Sequence, residues 1–154
     1  MKKHLLLVLL ILLSACQSTR SGQSSQQSAA DMNELTAYAL SLTGTPYKYG
    51  GTSPETGFDC SGFVSHVFKE KLGKSLPRSS EEISRIGVAQ KSTLLQPGDL
   101  VFYNTLNKSF SHVGIYLGDR QFVHAPSKGK VVTTVNMDEP YWRKRYNGAR
   151  RIRL

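Results

Sequence analysis

The hydrophobic period of this chain changes once, at Pro97-Gly98-Asp99, and that change limits its possible folds more than any other feature. Before it, apolar residues recur at helical spacing; after it, they alternate. Helices followed by strands, not interleaved with them, predict an α+β domain with helices packed on an antiparallel sheet of about five strands.

The first predicted helix starts near Asp31, which has capping-box spacing to Glu34. Leu35, Tyr38, Ala39 and Leu42 then form one face, and Gly44 and Pro46 stop the helix. A glycine-rich loop, Tyr47 to Asp59, leads to a second helix over Cys60–Leu72, with Asp59 as N-cap and Gly73 as stop. Phe63, Val64, Val67, Phe68 and Leu72 make that helix broadly apolar, as a central buried helix requires. A short third helix fits Ser79–Ile86, with Ser79 and Glu82 as a capping box. The predicted strands are 100–103, 112–117, 121–125, 131–135 and 149–154, with one or two helical turns over Pro140–Tyr146.

The amino terminus is of another kind. Lys2 and Lys3 precede nine apolar residues, Leu5–Leu13. As a helix these rise only about 14 Å, too short to span a bilayer. Residues 1–15 read as a signal peptide. Leu13-Ser14-Ala15-Cys16 resembles the lipobox of bacterial lipoproteins, which implies cleavage before Cys16 and a lipid on its sulfur. Gln17 in place of Asp implies, by the same resemblance, the outer membrane. Residues 17–30 are rich in Ser and Gln and are expected to be a flexible tether. The expected organisation is therefore signal 1–15, lipidated Cys16 and tether to residue 30, and a folded domain over 31–154.

Cysteine usage then becomes informative. Cys16 and Cys60 are the only cysteines. With Cys16 lipidated, Cys60 is a lone thiol in an exported protein, at a helix start where the dipole favours thiolate. It is the candidate nucleophile. A thiol nucleophile needs a base, and the base an orienting partner. His4 leaves with the signal, and His66 lies on another face of the Cys60 helix. For His112 and His124, a three-residue loop 118–120 pairs Ile115 with Val123 and Gly114 with His124. Val113, Ile115 and Val123 then share the core face, and both imidazoles share the opposite one, within hydrogen-bonding reach. His112 is the candidate base and His124 its orienting partner. The Cys60 backbone N–H is a natural oxyanion donor, and Tyr47 offers a phenolic second donor or, alternatively, a packed loop aromatic.

Formal net charge is +9, and +7 without Lys2 and Lys3. That suits polyanionic wall polymers or anionic head groups, and export argues against nucleic acid. Much of the charge lies in Arg143, Lys144, Arg145, Arg150, Arg151 and Arg153.

Six stretches in order complete the reading: 44–51 (Gly-Thr-Pro-Tyr-Lys-Tyr-Gly-Gly), 59–64 (Asp-Cys-Ser-Gly-Phe-Val), 76–79 (Leu-Pro-Arg-Ser), 97–102, 112–116 and 122–125, with Tyr141-Trp142 and Ala149-Arg150-Arg151-Ile152 at the end. Over residues 36–154 the chain resembles the NlpC family of cell-wall cysteine peptidases, its small lipoprotein members in particular. The resemblance implies a papain-like α+β fold, a Cys60-His112-His124 triad, an oxyanion role for Tyr47 and no cofactor. It also implies that Asp59 and Ser61 border the acyl-side substrate pocket with Arg78 nearby; Asp59 and Ser61 read otherwise as helix caps, and Arg78 as a structural ion pair. The expected substrate is a peptidoglycan stem peptide, cut at D-glutamate–diaminopimelate or D-alanine–diaminopimelate. The alternatives are an amidase or acyltransferase with the same triad, a silent wall-binding lipoprotein, and a zinc site, for which the spacing offers no ligand pattern.

Overall fold

The computed structural model describes residues 19–153, with side chains from Gln26 onward. The signal peptide, the lipobox and Cys16 lie outside the described residues. Among those described, no helix is long and apolar enough to cross a membrane. Residues 31–154 form one compact unit, and they hold every other candidate residue.

Helix α1 spans Thr19–Ser41. It begins twelve residues before the expected start at Asp31, so residues 19–30 are helical where a flexible tether was expected. Once the face of Leu35, Ala39 and Leu42 is anchored in the core, each added residue gains one backbone hydrogen bond. Gln and Ala oppose this little, and the helix runs through 19–30 although the Ser and Gly residues of that stretch favour it less. Asp31 is consequently inside the helix rather than its cap, and Glu34 pairs with Lys71 at 3.0 Å.

The loop 47–59 is not bare. It carries a two-stranded ribbon, β1 (Thr52–Ser53) with β2 (Gly57–Phe58). Helix α2 is Cys60–Leu72, as expected. Asp59 caps it through a 2.7 Å bond from Gly62 N–H, and Gly73 closes it in the left-handed conformation at φ 61°. Its Phe63, Val64, Val67 and Phe68 are fully buried, each stabilising the fold by about 1.5–3 kcal/mol. Helix α3, Ser80–Ile83, keeps the Ser79/Glu82 capping box but is half the expected length.

The sheet has six antiparallel strands, one more than expected, in the order β3-β8-β4-β5-β6-β7. These are β3 (Val88–Gln90), β4 (Leu100–Tyr103), β5 (His112–Gly118), β6 (Gln121–His124), β7 (Thr133–Asn136) and β8 (Tyr146–Arg151). Helix α4, Pro140–Arg145, precedes β8. The unexpected β3 is a short edge strand with no apolar alternation to announce it. Arg151 grips buried Asp99 with two 2.8 Å bonds, and Arg150 bonds the Ser84 carbonyl at 2.6 Å. Both arginines therefore brace the sheet.

The two sheet faces bury separate cores. Leu100, Phe102, Val113, Ile115, Val123 and Ala125 pack with α1 and α2. Val101, Tyr103, Tyr116, Phe122, Met137 and Ala149 pack beneath Trp142 of α4.

Candidate active site

Cys60 opens α2 because Asp59 ends the preceding extended segment and turns its carboxylate back over the first helical N–H groups. The helix start is held tightly to the loop before it. Gly62 lies so close to Gly51 that a Cβ there would meet the Gly51 carbonyl oxygen at 2.0 Å, so only glycine fits. Asp59 also accepts from Gly50 N–H at 3.0 Å. Arg78 donates to both Asp59 carboxylate oxygens and, at 3.0 Å, to the Ser61 hydroxyl. Asp59, Ser61 and Arg78 thus form one network around the Cys60 end of α2. Asp59 is both a cap and an ion-pair partner, so the two readings of these residues are not exclusive.

Cys60 is a partly exposed residue, and the backbone of Val113, the residue after His112, lies near enough to its thiol to favour the ionised form. Helix α2 packs on strand β5, with the helix start near the strand's first residues. Burial, and then the Asp59 carboxylate, push the thiol up to about 11. This corrects the expectation of a thiolate favoured by the helix start. The backbone N–H groups near the sulfur act in the expected direction, but desolvation and the adjacent carboxylate outweigh them.

His112 and His124 share one sheet face. Ile115 pairs with Val123, as alternation requires. The loop differs from expectation: Asp119 and Arg120 form a two-residue turn with φ of 47° and 60°, and Gly118 pairs with Gln121. The extra residue is absorbed as a register shift between Tyr116 and Gly118. A bulge thus restores the core alignment that a two-residue turn would otherwise break. His112 Nε2 and His124 Nδ1 are hydrogen-bonded at 2.7 Å, with the rings perpendicular at 88°.

Trp142 is the site residue whose position alternation does not reveal. Its ring centroid lies 5.7 Å from His112 and 4.9 Å from His124. The sequence clue was the Tyr141-Trp142 pair inside a short helix, which names the residue but not its target. Beneath this cover the histidines are 3% and 1% exposed. Burial lowers His112 to about 4. It lowers His124 as well, reinforced by His112 and Lys130. Both rings are therefore neutral at physiological pH.

Tyr47 packs against the core beside Cys60, held by a bridge to Phe58 and by its N–H on the Lys130 carbonyl at 2.9 Å. Burial, followed by the nearness of Cys60 and Asp59, raises its phenol above the ordinary range, so it remains an O–H donor. His66 stays apart from this group, bonded to the Tyr38 hydroxyl at 2.9 Å. Among the described residues no cluster of three or more His, Cys, Asp or Glu side chains could hold a metal.

The depressed His112 value has a consequence for stability. An unfolded histidine takes up its proton near pH 6.5, whereas the folded ring resists until about pH 4. The stability is complete above pH 6.5 and is lost as pH falls toward 4, by about 3 kcal/mol from this group. Denaturant midpoints measured at pH 7, 5.5 and 4.5 should fall in that order. The decline should be smaller in His112→Asn.

Comparisons with known proteins agree with this geometry. Residues 44–151 match the NlpC/P60 family. The murein DD-endopeptidase MepS/murein LD-carboxypeptidase of Escherichia coli K12 is 46% identical over 109 residues, 71% of this chain and 56% of that protein. The probable endopeptidase NlpC homolog of Haemophilus influenzae is 44% identical over 109 residues, with the same shares. The chain spans about half the length of the curated relatives it matches. Among solved structures, an NlpC/P60 family protein from Bacillus cereus superimposes with a TM-score of 0.73 at 37% identity, over 78% of this chain and 39% of that one. A family match over most of the chain, on a fold shared with solved members, leaves one conclusion: the chain belongs to the NlpC/P60 family.

Proposed function

We propose that this chain is a peptidoglycan endopeptidase, hydrolysing amide bonds in wall stem peptides or cross-links with Cys60 as nucleophile. The observation that carries the reading is the hydrogen-bonded imidazole pair across β5 and β6, with the β5 backbone at Val113 beside the Cys60 thiol. Relatives named as murein endopeptidases support the substrate class.

The resting state is a neutral thiol beside neutral imidazoles. His112 Nε2 and His124 Nδ1 share the 2.7 Å bond; with His112 Nε2–H as its donor in the working tautomer, His112 Nδ1 keeps a free lone pair for the thiol proton. The sulfur forms a bond to the scissile carbonyl carbon as that proton moves to His112. The resulting oxyanion accepts from the Cys60 backbone N–H and the Tyr47 O–H. On collapse the carbon–nitrogen bond breaks, and the amine leaves with the proton from His112. Water, deprotonated by His112, then hydrolyses the thioester and frees the sulfur. His124 keeps His112 in the required tautomer, the part an acid or amide takes in other triads. The Asp59–Ser61–Arg78 network offers a carboxylate, a hydroxyl and a half-exposed guanidinium to the substrate backbone.

The location follows from the amino terminus. The lipobox supports a lipid on Cys16, and Gln17 supports the outer membrane, so the domain acts in the periplasm beside the wall.

The test is digestion of purified wall fragments with product masses read out. Products separated at a stem-peptide amide are expected, with activity lost on thiol alkylation and retained with chelators. Masses showing release of intact stems from the glycan would replace this reading with an amidase. Loss of activity to chelators alone would replace the thiol mechanism.

A further inference from the structure

A second concavity, of about 290 Å³, lies along α2 outside the triad. Gly62, Ser65, His66, Lys69 and Glu70 form its floor. These positions are spaced i, i+3, i+4, i+7 and i+8, so they are one stripe of a single helix. Phe63, Val64, Val67 and Phe68 occupy the opposite, buried side. The facing wall includes Arg78, which also holds Asp59 and Ser61 at the Cys60 end. The groove is therefore continuous with the nucleophile's end of the helix.

The far end has a specific chemistry. Lys69 and Glu70 are both exposed, and among the described residues neither makes an ion pair, although the neighbouring Lys71 is paired with Glu34. Along the length of the groove, Thr52, Ser65 and Ser75 add hydroxyls. Arg78 is offset by Asp59, which leaves, among the described lining residues, one free cation and one free carboxylate at consecutive helix positions. Nine residues of helix separate Cys60 from Lys69, about 14 Å along the axis. An extended peptide covers that span in about four residues.

We propose that this groove is an extended substrate subsite that takes a zwitterionic peptide segment, with a carboxylate on Lys69 and an ammonium on Glu70. The segment lies about four residues from the scissile bond. The proposal rests on the peptidase reading for its substrate, but binding without turnover tests it separately.

The probe is a wall tetrapeptide with free amine and free carboxylates, alongside its N-acetylated and carboxamidated forms. Each is titrated calorimetrically into full-length Cys60→Ala protein. The free peptide should bind about tenfold tighter than either capped form, the size of one well-placed charge-assisted contact. Lys69→Gln should erase the preference against the carboxamide, and Glu70→Gln the preference against the acetylated form. Equal binding of all three peptides, or preferences unchanged in both variants, overturns the subsite. A chain that cleaves wall fragments but shows no such preference refutes the groove and keeps the peptidase. A chain that shows the preference but never cleaves refutes the peptidase and keeps the groove.

Discussion

Cys60→Ala should remove wall-peptide hydrolysis entirely, with a fall of about 10⁴-fold or more in kcat and an unchanged fold. No other described cysteine exists to take its place. Water alone is a poor substitute, because the covalent route divides one hard step into two. The fold survives because the residue is partly exposed at a helix start, where alanine has the best helical propensity. Circular dichroism of the variant should superimpose on the parent, while product masses from wall fragments should be absent. A variant that still cleaves would remove the nucleophile from the proposal. The raised thiol adds a second readout. A thiol held protonated up to about 11 reacts with alkylating agents only as its proton is taken. Its alkylation at neutral pH should therefore slow when His112 is replaced.

The second large effect is at His112. His112→Ala should lower kcat by about 10³–10⁴-fold, since the variant loses the acceptor of the thiol proton and the donor to the leaving amine together. His124→Ala should cost less, about 10–100-fold, because His112 keeps both proton-transfer roles and loses only the 2.7 Å contact that fixes its tautomer. Both substitutions leave a gap beneath Trp142, so thermal stability will fall in each. Comparing kcat at a temperature where both remain folded separates chemistry from stability. Equal losses at the two positions would mean that the histidines act as one inseparable unit.

The α+β class was legible because the hydrophobic period states it, and its papain-like form came only with the family resemblance. Asp59, Phe63, Val67 and Gly73 each carry a local rule that needs no tertiary context, so α2 was readable to its ends. The β5–β6 alignment was legible for a different reason. Val113, Ile115 and Val123 must share a face whatever turn connects them, so alternation placed the imidazoles correctly while misjudging the loop. Other features depend on partners that lie far away in the chain. The helical run before Asp31 has no apolar stripe of its own. Strand β3 is defined only by pairing with β8. The state of the thiol depends on burial and on a carboxylate that also serves as cap, and a motif shows the cap but not the charge. Trp142 reaches the histidines only because α4 crosses the sheet face.

That last placement turns the chain into its own instrument. Trp142 is the single tryptophan, and its indole lies against both imidazoles. Its emission therefore originates at one place in the molecule. Charging of either ring, or displacement of α4 by an arriving peptide, alters the light emitted without any attached dye.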